Sequence, residues 1–175
     1  GLPKAVNLNR TYGTGAFVLK LNPQGDGIEY LSILGGNATI WAYGIAVDSS
    51  GHAYIAGTTK ASDLPATPQA AQGAYRGGDR VGFIAKLAPD GKSLVYCGYL
   101  GGSQSDDVYG LSVDRDGNAV VAGASDSADC PTTSGASFES IPYSSPDPRP
   151  AAIHGDLNLA LRGYVQVSAP LRLVD

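Results

Sequence analysis

The chain has 175 residues, enough for a domain with a true core; its net charge of −4 and 16% charged residues lack the basic footprint nucleic acid requires. Glycine (24) and tyrosine (10) are abundant and methionine is absent, a composition that suits short β-strands joined by tight turns. No apolar run approaches the roughly 18 residues of a membrane helix, so no membrane insertion is expected, and Cys97 and Cys130 lack the CxxC or Cys/His spacing of a zinc site.

In chain order, the first strand expected is 16–21, "AFVLKL", opening a partial unit over 16–36. Next come "YGIAVD" (43–48) and "HAYIAGTT" (52–59), flanking the turn "SSG", in which Gly51 supplies a positive φ. A long Pro/Ala/Gln/Gly loop follows over 60–79. Then "VGFIAKL" (81–87) and "SLVYCGYL" (93–100) flank "APDGK", a second hairpin with Pro early and Gly late. From Tyr109 the phrase "YGLSVDRDGNAVVAG" repeats "YGIAVDSSGHAYIAG" of Tyr43–Gly57 almost word for word. No segment carries a sustained helical period.

The echo is an internal repeat. Offset by 66 residues, 16–67 aligns with 82–133 without a gap, and 20 of the 52 pairs are identical. The identities include Phe17/Phe83, Lys20/Lys86, Gly25/Gly91, Tyr43/Tyr109, Asp48/Asp114, Gly51/Gly117, Gly57/Gly123 and Asp63/Asp129. Each unit holds four short antiparallel strands, the make-up of a propeller blade. Runs such as "AYIAG" and "FIA" lose strict alternation, as strands sandwiched between neighbouring blades do. The fold class expected is therefore all-β, a β-propeller with an incomplete ring, over 1–141. It comprises a partial blade at 16–36, a full blade at 43–102 and a partial blade at 108–138. Residues 142–150 read as a Pro-rich linker. Residues 151–175 depart from the repeat, which predicts a third strand near Arg149. They either close the last blade with divergent strands or begin another β-domain, with the second reading favoured.

"YGIAVDSSGHAYIAGTTKASDLPATP" followed by "GFIAKLAPDGKSLVYCGYLGG" resembles the SBBP repeat, the seven-bladed β-propeller repeat of bacterial secreted and cell-surface proteins. The resemblance covers about 16–138. It implies a propeller blade and an extracellular or cell-surface setting, and it brings no catalytic residue with it. The chain itself shows no signal peptide and no initiator methionine; it reads as an excised or processed piece, which leaves its compartment open.

Candidate chemistry is sparse. Trp41, the single tryptophan, replaces a residue that is Asp107 in the sister unit; packing at a blade junction competes with stacking on a sugar. Asp106 and Asp107, in "SQSDDVYG", are candidates for a ligand or cation site on a blade-connecting loop. "DRDGN" (114–118) has the look of a Ca²⁺ loop but carries Ser125 where the closing Glu belongs, so turn chemistry is the simpler reading. His52 and His154 have no nucleophile at a catalytic spacing, and Gly35–Gly36 and Gly101–Gly102 precede no helix that would hold a phosphate. Cys97 and Cys130 replace Leu31 and Leu64, so both read as small apolar residues rather than a disulfide. Lys20 and Lys86 lie inside apolar strands and need partners, for which the repeated Asp48/Asp114 and Asp63/Asp129 are available.

Two functions fit. One is a non-enzymatic structural or adhesive surface module, binding glycan or protein through its loops and self-associating through open blade edges, with no cofactor. The alternative is a scaffold or substrate-binding propeller domain of a larger secreted hydrolase whose active residues lie elsewhere.

Overall fold

The computed structural model describes residues 4–131 and Gln166–Val167. Among them are ten strands and no helix: β1 (Val6–Leu8), β2 (Tyr12–Leu21), β3 (Ile28–Gly36), β4 (Ile40–Val47), β5 (Ala53–Thr59), β6 (Val81–Leu87), β7 (Leu94–Leu100), β8 (Asp106–Val113), β9 (Ala119–Ser125) and β10 (Gln166–Val167). They form three sheets, ordered β1-β3-β2, β4-β5-β6-β7 and β10-β9-β8. The central sheet is one complete antiparallel blade. The first sheet carries the outer pair of a blade, β2–β3, and the third the inner pair, β8–β9. The chain is thus an all-β array of propeller blades with an unclosed ring, and the eight strands β2–β9 match the hairpins legible in the repeat.

The turns explain the repeated glycines. Gly51 and Gly117 have φ of +85° and +84°, and Gly25 and Gly91 close the other hairpins at +77° and +70°. A side chain in this left-handed region is strained, so glycine recurs.

β5 and β6 are buried at every residue, on both faces, because a sheet packs on either side of them. On one side, Val18, Tyr30 and Leu34 of the first sheet meet Ile55, Phe83 and Leu87. On the other, Tyr54, Ala56 and Ile84 meet Val108, Ala119 and Val121 of the third. Cys97 fills a fully buried slot in the first layer and is a free thiol, as is Cys130.

The loop at 60–79, which has no strand pattern, covers the outer edge of the blade. Thr67 N–H donates to Cys97 O (2.9 Å), and Tyr99 N–H donates to Gln72 O (2.9 Å). In the first sheet β1, parallel to β3, occupies the same place, and Val6 is Gln72 minus one period. β1 was not expected from sequence. It is the counterpart of a loop, and a three-residue strand shows no alternation.

Gln166 and Val167 pair with Val120 and Ala119 of β9, the edge on which a third strand sits in the central blade. The position near Arg149, the linker 142–150 and the rest of the 151–175 tail lie outside the described residues.

Candidate functional site

The innermost strands β4 and β8 each carry a bulge at the same point. Pairing jumps from Ala42↔Gly57 to Gly44↔Ala56, and from Val108↔Gly123 to Gly110↔Ala122. Tyr43 and Tyr109 are the extra residues. A bulge leaves its extra residue out of the ladder and re-aims its side chain. Here that exposes both rings, at 53% and 57%. The cause is steric: a Cβ on Gly57 would lie 1.9 Å from Trp41 O, and one on Gly123 1.9 Å from Asp107 O. Glycine lets the bulged strand come close.

The two tyrosine rings, one from each blade, lie 6.1 Å apart at a tilt of 49°. Trp41, 37% exposed, sits two residues before Tyr43 on β4. Asp107 holds the equivalent position before Tyr109. Its carboxylate accepts from Arg80 Nε (2.8 and 2.9 Å), Thr58 Oγ1 (3.0 Å) and the Tyr109 hydroxyl (3.2 Å). Arg80 and Thr58 belong to the central blade, so Asp107 ties two blades together beside the aromatic ledge. Burial and the Asp107 charge both push the Tyr109 hydroxyl pKa upward. The ledge was only half visible in the sequence: the Tyr43/Tyr109 identity was plain, but the bulge that exposes both rings shows only in the strand pairing.

Asp106 faces elsewhere. It is 3% exposed and stands where the sister unit has the buried Ile40. Its oxygens accept from Ser125 Oγ, Ser127 Oγ (2.8 Å) and Gly102 N–H (2.7 Å). The crevice beside it, lined also by Cys130 and Val121, has a volume of about 30 Å³, the scale of a water molecule.

The other repeated acids serve the frame. Asp63 Oδ1 accepts the Asn37 N–H at 2.6 Å, and Asp129 Oδ1 accepts the Ser103 N–H at 2.8 Å. Each acceptor latches the Gly-Gly turn that ends the previous blade, and a Cβ on Gly36 or Gly102 would lie 2.5 or 2.4 Å from that carboxylate. Asp48 accepts from the N–H groups of Ser50 and His52 (3.0 and 2.9 Å) within its hairpin turn. It also meets His52 Nδ1 (3.0 Å), the Tyr54 hydroxyl (3.2 Å) and Lys86 Nζ (3.1 Å). Burial works against its charge. The His52 N–H, Lys86 and the His52 ring overcome that and hold the carboxyl well below the usual range. Asp114 accepts the N–H groups of Asp116 and Asn118 (2.9 and 2.8 Å) in the same turn, so "DRDGN" is turn chemistry. Lys20 differs from the expectation of an aspartate partner: it pairs with Glu29 at 2.7 Å on an exposed face.

Residues 28–65 match the family model described as a beta-propeller repeat, SBBP. This stretch runs from β3, across the Asn37 turn, through the β4–β5 hairpin to Asp63, and so contains one whole inter-blade latch. The 66-residue echo of this stretch falls on 94–131. No curated protein matches the chain.

Proposed function

We propose that this array of propeller blades is a non-enzymatic extracellular or cell-surface module that binds carbohydrate on the Trp41–Tyr43–Tyr109 ledge. The observation that carries the reading is the bulge, repeated in two blades, which exposes a tyrosine each time and sets the two rings 6.1 Å apart. Exposed aromatic rings stack against the apolar faces of sugar rings, and hydroxyls find partners in adjacent charged groups. Asp107 and Arg80 supply an acceptor and a donor set at the rim of the ledge. A protein ligand is the competing occupant. The extracellular setting rests on the family resemblance.

Trp41 is the sole tryptophan, so its fluorescence reads the ledge directly. Titration with neutral oligosaccharides drawn from a glycan-array hit is expected to shift that emission, and Tyr43→Ala and Tyr109→Ala to weaken binding with the fold intact. Silence across the array, or binding indifferent to both tyrosines, overturns the proposal. A protein recovered by pull-down in a ledge-dependent way favours the competing occupant.

A further inference from the structure

We infer that the ledge is selective for acidic sugars, with Arg80 taking the carboxylate of a uronic acid whose ring lies on the tyrosines. This selectivity presupposes that the ledge is a carbohydrate site, and it names the class of sugar preferred there. The two ends of the ledge differ. Trp41 and Asp107 hold equivalent positions in successive blades, yet one is an apolar ring and the other is half of an ion pair. They also adjoin each other: Thr58 lies opposite Trp41 in the β4–β5 ladder, and its hydroxyl donates to Asp107 (3.0 Å). One period before Arg80 stands Thr14, so the arginine departs from the repeat as Asp107 does, and the sister unit is built without either.

What this end offers a ligand follows from its hydrogen bonds. Each Asp107 oxygen faces two donors: Oδ1 meets Arg80 Nε (2.8 Å) and Thr58 Oγ1 (3.0 Å), and Oδ2 meets Arg80 Nε (2.9 Å) and the Tyr109 hydroxyl (3.2 Å). That matches the roughly four lone-pair sites of a carboxylate. Arg80 spends only Nε. Its terminal nitrogens have no hydrogen-bond partner among the described residues, and its side chain is 42% exposed. The oxygen shared by Arg80 and Tyr109 sets the guanidinium beside the Tyr109 ring. Arg80 O accepts the Asp106 N–H (3.0 Å), which ties the arginine backbone to the start of β8. The neighbouring acid, Asp79, is held by Lys60 (2.8 Å). The unspent groups are therefore donors on a flat cation. Their fork fits a carboxylate in bidentate fashion, and a charge-assisted pair outweighs a bond to a neutral hydroxyl. A pyranose ring that carries a carboxylate satisfies the tyrosine face and the arginine fork at once.

Trp41 fluorescence titrations on the whole chain test this with matched pairs: gluco-, manno- and galacto-tetraoses, and the uronates made by oxidising each at C6. At least one uronate is expected to bind about tenfold more tightly than its neutral partner at low salt, with the preference shrinking in about 0.5 M salt. Arg80→Gln should abolish the preference, and Arg80→Lys, a point charge without the fork, should recover part of it. Asp107→Asn keeps an acceptor for Arg80 but removes the competing negative charge, so it should enlarge the preference. Were the ion pair only a joint between blades, both substitutions would weaken the two sugars alike. Circular dichroism establishes that each variant is folded. Neutral and acidic sugars bound equally well, with both lost in Tyr43→Ala, overturn the selectivity and leave the ledge standing. An acid preference that survives Arg80→Gln also overturns it. No binding by any pair, or binding indifferent to the tyrosines, overturns the selectivity and the ledge together.

Discussion

Lys86 lies in a strand buried on both faces, with its ammonium 4.6 Å from the centre of the Tyr54 ring and 3.1 Å from Asp48. Burial pulls its pKa down, but the Tyr54 hydroxyl and Asp48 more than compensate, so it stays charged with a raised pKa. The Tyr54 hydroxyl donates to Gly117 O of the next blade (3.0 Å), so the cluster spans a blade junction. Removing one member leaves a buried carboxylate short of a partner. Lys86→Met is therefore expected to cost about 3 kcal/mol, roughly 10 °C in melting temperature, with ledge binding unchanged. Calorimetry checks it, and an unaltered melting temperature rules out the framework role. The pH dependence follows from the directions. Asp48 has a folded pKa below its unfolded value, so its stabilisation is full above about pH 4 and fades as pH falls through the acid range. Lys86 has a folded pKa above its unfolded value, so its share is full below about pH 10 and is lost as pH rises further. Melting temperature plotted against pH should show a plateau between those limits. In Lys86→Met the alkaline decline should shrink.

At the scale of strands and turns, how much could be read in advance depended on where each partner sits. Hairpins were legible because turn glycine and flanking strands lie within one short stretch: Gly51 between 43–48 and 52–59 is self-contained. The latches were not. The recurrence of Asp63 was visible, but its partner is the Asn37 N–H, on the previous blade. The strap over β7 was opaque because Thr67 and Gln72 hold it through main-chain and side-chain bonds to residues about 30 positions away, which no local pattern shows. Asp106 and Asp107 drew attention as departures from the repeat. The departures have separate causes: Asp106 fills an Ile40 position with a satisfied carboxylate, while Asp107 anchors Arg80 across a junction. The bulge was hidden because Gly57 and Tyr43 sit on different strands and only their pairing shows the extra residue. A methyl at Gly57 or Gly123 must push the facing carbonyl away. Gly57→Ala and Gly123→Ala are each expected to cost about 1–3 kcal/mol, the range of core overpacking, and to disturb the Tyr43–Tyr109 pair. Unfolding in denaturant measures the cost, and a neutral result would mean that the bulge can flatten.

For the whole molecule, the core is not one mass but two apolar layers between three sheets, and successive sheets are joined by the same devices. In repeat arrays of this kind stability accumulates from neighbour to neighbour rather than from a single centre. Far-ultraviolet circular dichroism should accordingly be that of a β protein, and thermal unfolding should depend on how many blades are stacked.

The latch gives that dependence a cutting rule. Asp63 grips the blade before its own, so the natural unit for splicing is a span of one full period taken at any phase, not a blade excised at its visible margins. Spelling 49–114 twice in tandem keeps every hairpin, strap and grip in phase and adds one more buried lysine with its aspartate. Such an elongated chain should melt higher than the parent, whereas an insert a few residues longer or shorter should strand one carboxylate away from its turn and forfeit the gain.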